Sequence, residues 1–199
     1  MPAPTTRFKA QANNIATTAL DTASERKTYQ GANGTAVDNS GSNPWDFGTV
    51  SIAGASSPVR SAVKHLMWDV SAWGANVAVS NFRAWFDSSP EGWGFDNVGT
   101  QFKYAALRYE TGANGAAYVQ NADETSYGGH ATWSVMAHQD AAPTQNLYAG
   151  DGATGFGSSD DDVVGFQALL EVDELETAGV YQGTTSGYEF QMSLRYDYN

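Results

Sequence analysis

The last stretch of the chain constrains the fold most. From Tyr188 to Tyr198, the residues Tyr188, Phe190, Met192, Leu194, Tyr196 and Tyr198 alternate with Glu189, Gln191, Ser193, Arg195 and Asp197. A period of two collects every apolar side chain on one face of an extended strand, whereas a helix would scatter them around its circumference. This segment is predicted to be a strand with one face packed and the other polar, tying the carboxyl end of the chain into a sheet.

Other segments carry the same signal. Val163–Asp173 sets Val164, Phe166, Ala168, Leu170 and Val172 on one face, and Ala62–Val70 sets Leu66, Trp68 and Val70 against Lys64 and Asp69. In Asn76–Phe86 the apolar phase changes between Val79 and Phe82, as a β-bulge or a bend would require. Phe47–Ala53, Gln101–Glu110, Ala116–Val119 and Ala131–His138 are further strand candidates, with Gly-rich turns and loops between them, the longest from Ala141 to Ser159. With no long amphipathic helix, the expected fold is all-β, an antiparallel β-sandwich or jelly roll. Residues 1–30 keep no sustained apolar period and Gly31–Pro44 is loop-like. An extended amino-terminal arm and loop over 1–44, with a short helical stretch near Ala16–Arg26, is therefore expected ahead of a β domain over 45–199.

Charge narrows the partners. The formal net charge is −12, which disfavours nucleic-acid contact by the body of the protein. It is unevenly spread: residues 1–30 hold Arg7, Lys9, Arg26 and Lys27 against Asp21 and Glu25, a balance of +2, leaving −14 for the rest. An arm of that sign is attracted to an acidic surface, including the body of another copy. There is no cysteine, so disulfides and thiolate metal sites are excluded. Pro2 to Ala12 is polar and unlike a signal peptide, and no apolar run of membrane length occurs; synthesis and folding in the cytoplasm, without membrane contact, are expected.

Chemistry-bearing patterns are sparse. His65, His130 and His138 have no metal-ligand spacing, and the latter two would stand roughly 26 Å apart on an extended strand. Asp160, Asp161 and Asp162, with Asp151 earlier in the same loop, could bind calcium but lack the alternating carboxylates of a calcium loop, so an acidic solvated loop is the preferred reading. No nucleophile elbow and no phosphate-binding loop appear. No catalytic residue, metal site or cofactor is assigned. Trp45, Trp73 and Trp93 fall at turns or loops and suit docking or sugar stacking; Trp68, Trp85 and Trp133 suit the core.

The open polar arm, the cysteine-free Gly/Ala/Thr/Asn-rich β domain and the acidic body together resemble bacteriophage virion structural proteins, capsid decoration proteins first and small coat proteins next. Ala178-Gly179-Val180-Tyr181-Gln182-Gly183 and the strand after it are also similar to the closing hairpin of pilin-like and immunoglobulin-like surface domains. The first resemblance implies a non-enzymatic subunit that self-associates or joins other virion proteins, and carries over no functional residues. From the charge of the amino-terminal segment and the loop aromatics, the expected interface residues are Arg7, Phe8, Lys9, Arg26, Lys27 and Trp93. The alternative is a carbohydrate-binding or adhesive surface domain.

Overall fold

A computed structural model describes residues 2–11, 24, 27–28, 30, 32, 34–36, 47–51, 58–88, 100–106, 133–150, 153–173 and 191–199. Among them the regular structure is ten strands, a 3-10 turn at Gln139–Ala141 and helical backbone at Ser24, Lys27, Thr28, Gln30 and Ala32. The strands are β1 (Thr5–Gln11), β2 (Gly34–Ala36), β3 (Val59–Arg60), β4 (Lys64–Ala72), β5 (Ala78–Ser88), β6 (Thr100–Ala106), β7 (Ser134–Val135), β8 (Gly155–Gly157), β9 (Val163–Val172) and β10 (Gln191–Tyr198). Among the described residues the fold is all-β, with almost no helix, and every strand pair is antiparallel.

One sheet runs β2-β1-β4-β9-β6-β7, with β3 pairing β9 beyond the end of β4; the other runs β10-β5-β8. Their facing side chains share one core. Phe82 of β5 meets Trp68 of β4 edge-on at 5.0 Å, and Phe86 of β5 meets Phe102 of β6 in the same way at 5.0 Å. Val164, Phe166 and Ala168 of β9 complete the cluster from one sheet, and Met192, Leu194 and Tyr196 of β10 pack on it from the other. Each fully buried ring of this set contributes on the order of 2 kcal/mol from water exclusion alone.

The two central strands of the larger sheet, β4 and β9, are buried on both faces. His65, Met67 and Asp69 point away from the shared core, as do Val163, Gln167 and Leu169, yet all six are buried. A central strand covered on both sides loses the clean alternation of a half-exposed strand, and for that reason Asp69 was legible only as a polar-face residue.

The phase change expected between Val79 and Phe82 is a β-bulge. Arg195 opposes Arg83 and Asp197 opposes Ser80, so β5 carries one more residue than β10 over that step. Asn81 takes up the extra length in the left-handed region (φ 53°) and donates its backbone N–H to the Thr154 carbonyl. Beyond β8, the segment 137–147 closes the side of β5. Asn146 exchanges two side-chain hydrogen bonds with the backbone of Ala84 (2.8 and 2.9 Å), while Leu147 N–H donates to Phe82.

Several expectations are corrected. Thr5–Gln11 is no arm: it is an inner strand between β2 and β4, and β2 likewise lies in what reads as a loop, so residues on both sides of the expected boundary at 44 share one sheet. Its period is weak because a charged residue, Arg7, and an aromatic one, Phe8, each find a long-range partner on opposite faces. Phe47–Ser51 form no strand, although Phe47 packs into the core. The Ala141–Ser159 loop contains β8 and buries Leu147 and Ala149. Ala116–Val119, Tyr188–Phe190, His130 and all of 16–26 except Ser24 lie outside the described residues.

Candidate interaction site at the amino-terminal strand

Pro2 and Pro4 have no N–H, so the first residues cannot complete a hydrogen-bonded ladder, and their carbonyls need other donors. Side chains supply them. Asn76 Nδ2 donates to the Pro2 carbonyl at 2.9 Å, the Tyr196 hydroxyl to that of Pro4 at 3.0 Å, and the Ser71 hydroxyl to that of Thr5 at 3.2 Å. From Thr6 onward the ladder with β4 takes over in register: Arg7 opposes Asp69, Phe8 opposes Trp68 and Lys9 opposes Met67.

Alternation then sends successive side chains to opposite faces. Phe8 stacks on Trp68 at 5.1 Å between ring centroids, and Trp68 also contacts Tyr196 at 4.9 Å, so one aromatic file runs from β1 through β4 to β10. On the other face Arg7 makes a two-pronged bond to Asp69, whose side chain is wholly buried while that of Arg7 stays 40% exposed. Hydrogen bonding to Asp69 raises the Arg7 pKa, its own partial burial opposes that, and the Asp69 and Asp161 charges reinforce the rise.

A second ion pair lies beside the first. Lys27 pairs with Asp161 and donates to the Val70 carbonyl at 2.9 Å; Asp161 also accepts the Trp73 indole N–H at 2.9 Å and adopts φ 54°. Two cations of the amino-terminal segment thus meet two carboxylates of the body where β1 and β4 approach the turn before β9. The arrangement is charge-balanced and holds the strand through its backbone carbonyls, one aromatic side chain and one guanidinium.

Of the residues read from sequence as an interface, Arg7, Phe8 and Lys27 make these contacts within their own chain. Lys9 lies in the strand between Met67 and Ala36, and Arg26 and Trp93 lie outside the described residues. Sequence reading did not identify Asp69, Trp68, Asn76, Asp161 and Tyr196 as partners of the amino-terminal segment. The available signal was Asp69 inside the apolar run Leu66–Val70, since a carboxylate there demands a cation.

The other candidate groups have local roles. His65 is buried, and desolvation, helped by Lys64, lowers its pKa to about 4. His138 Nδ1 caps the 3-10 turn by accepting from Asp140 N–H. Asp162 is buried with Oδ1 accepting from Val163 N–H at 2.7 Å, so neither it nor Asp161 belongs to a freely solvated acidic loop. Among the described residues no group of three His, Asp or Glu is arranged to hold a metal ion. Trp85 faces away from the core but is covered, with the Arg195 guanidinium 5.3 Å from its ring centre. No family model matches the chain, and neither curated proteins nor solved structures yield a match.

Proposed function

We propose that the protein is a non-enzymatic structural subunit that assembles on or into a viral capsid, as a decoration or coat component, after synthesis in the host cytoplasm. We read its two sheets as a β-sandwich that serves as the rigid body of that subunit. The supporting observation is the seat of the amino-terminal strand, in which a cationic segment is held on an acidic body by Arg7–Asp69, Lys27–Asp161 and Phe8–Trp68. Such a seat is a peptide-recognition surface of the strand-addition kind, where backbone bonds supply affinity and side-chain sites supply specificity. Its partners are other copies of the chain or other virion proteins.

Trp73, the one described residue of the three loop tryptophans suited to sugar stacking, packs edge-on against Phe156 and donates its indole N–H to Asp161, which favours this reading over a sugar-binding platform at that ring. Electron microscopy of the purified protein, alone and mixed with undecorated capsids, is the test. Ordered particles or capsid-bound density are expected. A protein that neither self-associates nor binds capsids, yet binds a glycan array, contradicts the proposal.

A further inference from the structure

We infer that β10 is a pairing edge for a second copy of this chain: two β10 strands join antiparallel about a two-fold axis at Tyr196 and make one sheet of order β8-β5-β10-β10-β5-β8. The interface lies on the smaller sheet, away from the seat of β1, and does not depend on the capsid reading.

The backbone makes the edge. β10 stands at the end of its sheet, and among the described residues β5 is its one strand neighbour. Asn199 turns its N–H and C=O toward β5, bonding to Ala78 and Val77. Ala84, which opposes Leu194, gives both of its backbone groups to the Asn146 side chain, on the side away from β10. In an antiparallel ladder these orientations alternate along a strand and are shared by opposed residues. Leu194, Tyr196 and Tyr198 therefore aim their N–H and C=O outward, where no described strand meets them. Such an edge is a template for another strand. No Pro or Lys in Gln191–Tyr198 blunts it, and the bulge at this level is carried by β5.

Charge selects the occupant. Arg195 is exposed; it opposes another cation, Arg83, and its guanidinium rests over Trp85. The nearby carboxylate of Asp197 is bonded to Arg83 at 3.0 Å, so Arg195 has no carboxylate of its own among the described residues. Pairing about Tyr196 sets each Arg195 against the partner's Asp197, a side chain still 52% exposed. On the opposite face it sets Leu194 against the partner's Tyr198, covering a ring left 43% exposed. An axis at Arg195 or at Asp197 would oppose like charges, and one at Leu194 would face Arg195 with Ser193. The strand is thus complementary to itself in one register, as an isologous two-fold contact requires.

Sedimentation equilibrium of the full chain, with circular dichroism to establish folding, tests the interface. Wild type is expected as a dimer or a multiple of dimers. Arg195→Asp and Asp197→Arg each oppose like charges across the axis and should weaken self-association by roughly tenfold or more. An equimolar mixture of the two should restore it as a heterodimer, since the charges of each variant complement those of the other. Tyr198→Pro removes an outward N–H without breaking a bond to β5, and should weaken association by a route independent of charge. Undiminished association in folded Arg195→Asp and Tyr198→Pro overturns the inference, as does a mixture of folded charge variants that stays monomeric. A chain that binds capsids while its own mass is single, or is indifferent to these substitutions, overturns the β10 interface and leaves the structural role standing.

Discussion

Arg7 and Asp69 lie 62 residues apart in sequence and are joined by two parallel hydrogen bonds, Nε to Oδ1 at 2.8 Å and Nη2 to Oδ2 at 2.9 Å. Asp69 is buried and Arg7 is partly open to water, so truncating the two residues has unequal consequences. Arg7→Ala leaves a buried carboxylate without its cation and should cost about 3 kcal/mol, reduced somewhat by the water that reaches the guanidinium. Arg7→Lys should recover only part, because an ammonium cannot make the planar two-pronged bond. Urea unfolding midpoints of the two variants check this, and the paired change Arg7→Met/Asp69→Leu should lie closer to wild type than Arg7→Ala.

Removing the amino-terminal segment has the same root. Deletion of residues 1–11 strips an inner strand from the sheet and uncovers Trp68. It should lower the melting temperature markedly rather than leave an intact domain with a trimmed tail. Circular dichroism melts of the truncated and full chains give the comparison.

Asn81 at the β5 bulge occupies the left-handed region, where glycine and asparagine are tolerated and β-branched residues are strained. Asn81→Gly should be nearly neutral, losing only the exposed side-chain bond to Asp197. Asn81→Val should cost about 1–2 kcal/mol by the backbone penalty. Equal unfolding midpoints for the two variants would contradict the assignment of the bulge.

Gly155 has a different constraint. A Cβ there would sit 2.3 Å from the Val79 carbonyl oxygen and within 3 Å of two atoms of Ser80, so β8 approaches β5 too closely for any side chain. Gly155→Ala should destabilise by about 2 kcal/mol or more, since the obstructing atoms are mostly backbone. Chemical denaturation measures it.

His65 sets a pH dependence. Its folded-state pKa of about 4 lies below the ordinary 6.5, so between those values the unfolded chain binds a proton that the folded chain does not. Stability from this residue is full above pH 6.5 and falls as the pH is lowered to 4, by about 3 kcal/mol in total. Below pH 4 its contribution to the slope vanishes. His65→Phe should flatten the unfolding free energy across that window, and an unchanged slope would show that another group carries the dependence.

The sequence made the all-β class and the better strands legible because β9 and the described part of β10 keep their core residues two apart. Val164, Phe166 and Ala168 of β9 enter the core cluster, and Met192, Leu194 and Tyr196 of β10 pack on it. The irregularity in β5 was legible for the same reason, as a bulge or a bend between Val79 and Phe82, and the register with β10 shows it to be the bulge. β1 was not, because Arg7 and Phe8 satisfy opposite faces through single long-range partners and leave no local period. The ion pairs at Asp69 and Asp161 were hidden for a related reason: each joins segments far apart in sequence, and only the folded sheet brings them together.

The claim on which the functional reading stands is that the folded chain assembles. Light scattering of the purified full-length protein across a wide concentration range measures that most directly. Expected is a mass at a fixed integer multiple of the chain, lost or reduced in Arg7→Ala under conditions where that variant remains folded. A single-chain mass at every concentration, for wild type and variant alike, would contradict it.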